Sequence, residues 1–366
     1  MQPERLSVGE LAAGQPLTVP VYRFIGTDAS APSVYIQANV HGAEVQGNAV
    51  ILQLLRYWQA HPPKGNVTLV PLANPLGINQ KSGEFTLGRF DPISGENWNR
   101  QYLDNQLPLA QWVSEHYHLA DAELVSAYRQ VLQTNLQRRL QSPWGVTTGQ
   151  RLAYTLQLMA SEADIVLDLH TGPKSCQHLY CPAYQQQAAK EFSIPFTLFI
   201  PNLFGGAMDE AIFCPWWRLT DYLASQQRKL AVPVAAFTLE LGNQELSDMA
   251  QAHQDAQNIL AFLHCRGVVA EAIAPLEMKR YGCYLHNYRK FHAPRAGLVQ
   301  YLAAPGALVK AGEPLVRLLR LDLAIDEQEQ LLTAPEDGAA ILHFASAAVQ
   351  QGTELYKIMT QLFEVD

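Results

Sequence analysis

The sequence predicts an α/β fold, a mixed and mostly parallel sheet covered by helices, followed by a small all-β module of barrel-sandwich type. Three observations predict it. Between residues 17 and 72, two β-branched and aromatic runs, one stretch of helical periodicity and a further apolar run follow one another, the strand, helix, strand order of a parallel or mixed sheet. Two later apolar runs, at 164–169 and 232–241, each adjoin a stretch of helical periodicity. From about residue 271, short strands, turns and Gly/Pro punctuation take over. A boundary near residue 275 therefore divides the chain into residues 1–275 and 276–366, as suits 366 residues at roughly 150 per domain.

Residues 17–25 and 33–40 read as strands around a turn marked by Gly26, Asp28, Ser30 and Pro32. The segment 44–60 changes period: Val50, Ile51, Leu54, Leu55 and Trp58 recur at helical spacing, and His61-Pro62-Pro63 stops it. Residues 66–72 form the next compact strand. Helical patterns fill roughly 121–142 and 148–161, inside a long stretch from about 103 to 160 that reads as largely helical, and feed into the strand 164–169. After the strand 232–241, a helix is expected over about 246–264.

The C-terminal part carries an internal repeat. Ala293-Pro294 followed by Gly297, Gly312 and Leu315 is matched by Ala334-Pro335 followed by Gly338, Gly352 and Leu355. Two copies of a β-hairpin unit suggest a pseudo-symmetric barrel or sandwich, resembling the modules of biotinyl and lipoyl carrier domains. No Lys lies in the acidic run 321–330 between the halves, so a structural or gating appendage is expected rather than a covalent cofactor carrier.

The net charge of −8 disfavours nucleic acid and anionic membranes as partners, and 48% hydrophobic against 16% charged residues excludes a disordered chain. Five cysteines without a C-x-x-C pair fit a reducing compartment. With no leader pattern at the N-terminus and no apolar run of about 18 residues, a soluble cytoplasmic protein is expected. Oligomeric state is left open, a homo-oligomer included.

The residues that can carry chemistry cluster at strand ends. His41-Gly42-Ala43-Glu44 stands where the second strand turns into the helix, so His41 and Glu44 can both face the crevice outside the carboxyl end of the sheet. His170 follows the strand 164–169 and supplies a third ligand, which completes a catalytic zinc set of two His and one Glu. Taken singly, an H-x-x-E pair or one His at a strand end is unremarkable. Glu240, between Leu239 and Leu241, is costly in an apolar strand unless paired or catalytic, or else it faces solvent. Arg89, and Asn99 with Arg100, suit a carboxylate ligand, or else belong to an ordinary surface loop.

Together, His41-x-x-Glu44, Asn99-Arg100, Asp168-Leu169-His170 and Glu240 resemble the zinc carboxypeptidase superfamily, and within it the succinylglutamate desuccinylase and aspartoacylase family, over about residues 15–265. The resemblance implies a zinc carboxypeptidase-like fold and one Zn2+ held by His41, Glu44 and His170. It also implies a substrate carboxylate clamped by Asn99 and Arg100, Glu240 as general base, and Arg89 polarising the scissile carbonyl. Asp168 is expected to fix an imidazole tautomer, or otherwise to form a salt bridge or turn cap. Where aspartoacylase-like members carry Asp before Leu-Asn-Arg, this chain has Asn97 before Trp98-Asn99-Arg100, a departure expected to bear on substrate side-chain preference. The implied activity is hydrolysis of an amide bond in a small anionic N-acyl amino acid. The alternatives are a metallocarboxypeptidase acting on peptides or cell-wall fragments, and a non-catalytic zinc-binding scaffold.

Overall fold

The computed structural model describes residues 2–365. The strands β1 (Glu4–Glu10) and β2 (Pro16–Phe24) form an antiparallel ribbon. Then come β3 (Val34–Ala38), the helix α1 (Gln46–Ala60) and β4 (Val67–Val70), the expected strand, helix and strand. The short β5 (Lys81–Ser82) and β6 (Phe85–Thr86) make a small hairpin. The stretch from 103 to 160 resolves into three helices, α2 (Leu109–His116), α3 (Asp121–Leu140) and α4 (Thr148–Ala160). Residues 103–108 are not helical, because Pro108 starts a helix readily but disfavours helical conformation in the residue before it. Five strands and two helices complete the α/β part: β7 (Ile165–Gly172), β8 (Lys174–Ser175), β9 (Gln177–Pro182), β10 (Phe196–Ile200), α5 (Met208–Ser225), β11 (Ala235–Asn243) and α6 (Met249–Cys265).

The chain divides into two compact units. The first comprises the described residues up to 170 with 202–238 and 247–275, and the second comprises 171–201, 239–246 and the chain from 276. The boundary near 275 is thus the last crossing between the units, while two earlier segments also belong to the second.

In the first unit the strand order is β1-β2-β4-β3-β7-β11. β3 pairs in parallel with both neighbours, Ile36 lying opposite Leu69 on one side and Leu167 on the other. Every residue of β3 and β7 is buried, as expected where helices cover both faces of a parallel sheet. The polar residues within these apolar runs, Gln37 and Asp168, stand opposite each other in the register. α1 buries Val50, Ile51, Leu54 and Trp58. α4 is capped by Thr147, whose hydroxyl accepts from the Gln150 backbone N–H while the Gln150 side chain reaches back to the Thr147 N–H. No helix among the described residues is long and apolar enough to cross a membrane.

In the second unit the C-terminal strands are β12 (Tyr281–Tyr284), β13 (Tyr288–His292), β14 (Gly297–Tyr301), β15 (Leu308–Val309), β16 (Pro314–Leu319), β17 (Glu329–Thr333), β18 (Gly338–His343), β19 (Ala348–Val349), β20 (Glu354–Thr360) and β21 (Phe363–Glu364). Eight of them build two antiparallel sheets, β13-β20-β18-β15 and β17-β16-β14-β19, while β12 pairs in parallel with β10 and antiparallel with β21. The sequence repeat is visible as reciprocal hydrogen bonds. The Gly312 N–H donates to the Ala334 carbonyl at 2.8 Å, and its counterpart Gly352 donates to Ala293 at 2.9 Å. Both glycines adopt positive φ, +87° and +85°, which a side chain disfavours. The paired Leu315 and Leu355 are fully buried in the shared core.

Candidate metal centre

β3 ends in Asn39, which takes the left-handed conformation (φ +70°) that Asn tolerates better than most residues. Its side-chain amide donates to the carbonyls of His41 (3.0 Å) and Gly42 (3.1 Å), so one residue both turns the chain and holds the loop. A Cβ on Gly42 would lie 2.0 Å from the Gly77 carbonyl oxygen, so only glycine fits this close backbone approach. α1 begins at Gln46, two residues beyond the start expected, which leaves Glu44 in the turn.

This turn and the end of β7 bring His41, Glu44 and His170 together, with ligand atoms within 4.8 Å of one another and all three residues buried. His41 Nδ1 is 2.9 Å from Glu44 Oε1, and His170 Nδ1 is 2.8 Å from Glu44 Oε2. The outer nitrogens are occupied as well. His41 Nε2 donates to Asn97 Oδ1 and His170 Nε2 to Asp168 Oδ2, both at 2.8 Å. Both Nδ1 atoms therefore lie beside one carboxylate, and with a cation in place of their protons they and Glu44 would supply the nitrogen and oxygen donor set that suits Zn2+. Burial alone would raise the Glu44 carboxyl, but His41 and His170 outweigh it and hold the group well below the usual carboxylate range. Burial likewise disfavours the His170 imidazolium, and Asp168 with Glu44 reverses this and raises it well above its ordinary value.

Asp168 is held in turn. Gln37 Nε2 donates to Asp168 Oδ1 at 2.9 Å and approaches the Tyr102 hydroxyl at 3.3 Å, while the Tyr35 hydroxyl donates to Gln37 Oε1 at 2.9 Å. Burial pushes both phenols well above their usual range, so they remain neutral. Of the residues expected to contact substrate, Arg89 reaches Glu44 Oε1 at 3.1 Å and is about half exposed. The Asn99 amide nitrogen lies 3.3 Å from His170 Nε2, and Asn99 Oδ1 accepts from the Met208 N–H at 3.3 Å. The Arg100 guanidinium folds onto the Asn99 carbonyl at 2.6 Å.

Glu240 lies on β11 in the part of that strand that belongs to the second unit, and it is partly exposed. In the same unit the Tyr288 hydroxyl is buried with no hydrogen-bond partner among the described residues. Burial, then Tyr180 and the charge of Glu240, raise this phenol well above its ordinary range.

Asn97, Gln37, Tyr102 and Tyr288 were not singled out as site residues from sequence. Gln37 had a usable signal, a long polar side chain in a buried apolar strand. Asn97 stood out only as a departure from a family pattern, and the structure places it on His41. A fifth group is Asp209 in the first turn of α5, 2% exposed, whose carboxyl is pushed up to about 7 by burial and then by Glu210 and Asp168.

Residues 30–266 match the family defined by the succinylglutamate desuccinylase/aspartoacylase catalytic domain. A succinylglutamate desuccinylase/aspartoacylase family protein from Shewanella amazonensis SB2B is 62% identical, with 100% of both chains covered and a TM-score of 0.97. A second such protein, from Shewanella frigidimarina NCIMB 400, is 59% identical over 100% of both chains with a TM-score of 0.98. At 16% identity, the ectoine utilization protein EutE (DoeB) from Ruegeria pomeroyi shares the fold, with a TM-score of 0.68 over 100% of this chain and 94% of its own. No curated protein matches the chain.

Proposed function

Since the chain belongs to the succinylglutamate desuccinylase/aspartoacylase family, we propose that it is a zinc-dependent hydrolase that cleaves an amide bond in a small, carboxylate-bearing N-acyl amino acid. The observation that carries this reading is the convergence of two imidazole Nδ1 atoms on one buried carboxylate, with both outer nitrogens already bonded to the protein. Such prebonded histidines are built to face a cation rather than to titrate alone.

His41, Glu44 and His170 are the residues that would hold the metal. When bound, Zn2+ supplies Lewis acidity that polarises the scissile carbonyl and acidifies water toward a pKa of about 7. Asp168, anchored by Gln37, keeps the His170 ring oriented through Nε2. Arg89 places positive charge beside the carboxylate of Glu44, suited to an oxyanion developing there. Asn99 and Arg100 orient the substrate carboxylate. Glu240 takes the proton of the attacking water on its carboxylate and returns it to the leaving amine nitrogen. With a net charge of −8 the protein exerts no general pull on an anion, so recognition falls to these arginines.

The test is metal analysis of the purified protein followed by a screen of N-acyl amino acids against short peptides. One zinc per chain with turnover of an N-acyl amino acid is expected. Turnover of peptides alone would replace the reading with a metallocarboxypeptidase, and bound zinc without turnover on either would replace it with a scaffold.

A further inference from the structure

We propose that Asn97 is a positioning residue whose single side-chain oxygen ties the ligand His41 to the turn that presents Asn99 and Arg100. The inference rests on the metal reading of His41. Asn97 Oδ1 accepts two hydrogen bonds, one from His41 Nε2 and one from the Asn99 backbone N–H, each at 2.8 Å. Two donors on one atom use both lone pairs and fix the amide, since the flipped side chain would set its own N–H groups against them. His41 is thereby held with a proton on Nε2 and with Nδ1 on the Glu44 side, 2.9 Å from Oε1. The same oxygen caps the 3-10 turn Trp98–Arg100, whose middle residue lies 3.3 Å from His170 Nε2. The Trp98 N–H donates to the Arg89 carbonyl at 3.2 Å, which fastens the loop bearing Arg89 to the same turn.

The two imidazoles are therefore supported differently. His170 leans on a buried carboxylate, whereas His41 leans on a neutral amide that also organises the substrate clamp. A ligand that shifts at His41 moves the oxygen on which Asn99 hangs. Metal affinity and carboxylate affinity should then fall together when Asn97 is lost, and separately when Arg100 is lost.

The experiment titrates Zn2+ against a competing chelator in metal-free protein and, with zinc saturating, measures KM for the best N-acyl amino acid. N97A is expected to bind zinc 10–100-fold more weakly, the usual loss when a ligand's hydrogen-bond partner is removed, and to keep a raised KM even at saturating zinc. N97D, which retains an oxygen for both donors, should recover both to within a few-fold, and R100A should raise KM at wild-type zinc affinity. Should N97A not fold by its thermal melt, N97S, whose hydroxyl is too short to reach both donors, takes its place. Wild-type zinc affinity without the amide would overturn the tie to His41. A KM that returns to normal at saturating zinc would overturn the tie to the turn, and N97D no better than N97A would overturn the acceptor role. The zinc arm needs no substrate: a wild type that binds zinc but hydrolyses nothing defeats the functional reading and leaves affinity to decide the His41 tie.

Discussion

Gln37 offers the sharpest test of how the site is held. It is fully buried, as are Asp168 and Tyr35, the two groups it bridges. Replacing it by Leu keeps roughly the same volume and strand propensity but removes its short bonds to Asp168 and Tyr35 and its longer one to the Tyr102 hydroxyl. The Nε2 bond to Asp168 Oδ1 goes to an acidic side chain, a class worth about 1.5–3 kcal/mol. The Tyr35 hydroxyl, deprived of Gln37 Oε1, becomes a buried donor without an acceptor, at about 1–3 kcal/mol. With part of this offset by the added apolar contact, a loss of about 3–4 kcal/mol is expected, read from urea unfolding followed by circular dichroism at unchanged m. Zinc affinity should drop as well, because Asp168 then orients His170 less firmly. Q37E provides the companion measurement. It sets a carboxylate oxygen about where Nε2 stood, facing Asp168, so the native state favours its protonated form and its pKa rises. Stability is then retained at low pH and lost as pH rises through that raised pKa. A Q37L deficit below about 1 kcal/mol, or a Q37E stability profile parallel to wild type between pH 5 and 8, would refute the reasoning.

The other predictions are briefer. E240Q should keep its zinc and lose roughly 10²–10⁴-fold in kcat, and an unchanged kcat would remove Glu240 from the mechanism. R100A should raise KM with zinc content intact, and wild-type kinetics on every active substrate would dismiss the clamp. The Asp209 carboxyl, pushed up to about 7 from an ordinary value near 4, holds a proton in the native state that the unfolded chain releases. Stability should therefore fall as pH rises from about 4 to 7, by at most about 4 kcal/mol; D209N should flatten thermal melts compared at pH 5 and 8, and an undiminished slope would assign the effect elsewhere.

His41, Glu44 and His170, the group that could hold a metal ion, were legible because they lie just beyond β3 or among the last residues of β7, and strands can be read from hydrophobic runs. The partners behind them were not, since a hydrogen bond between Gln37 and Asp168 depends on a register across 131 residues of chain that no local pattern encodes. Asn97 was noticed only as an unfamiliar residue beside Asn99 and Arg100, and its oxygen is occupied by His41 and the Asn99 backbone. α5 went unread for a different reason: Pro215 lies inside it. A proline there forfeits one helical hydrogen bond and argues against a helix in sequence. The structure accommodates it by giving the Ala211 carbonyl, four residues earlier, a long contact from Gln157 Nε2 at 3.5 Å, and by seating the Tyr128 hydroxyl on the Pro215 carbonyl at 3.0 Å. Both compensating groups come from other helices, so tertiary packing overrides the local signal. That helix matters to the site, because its first N–H, from Met208, holds the Asn99 side chain whose turn hangs on Asn97. A substitution at Pro215 would thus leave the Asn99 side chain in place only if the first turn of α5 keeps its position, which makes the packing of Gln157 and Tyr128 part of how Asn99 is aimed.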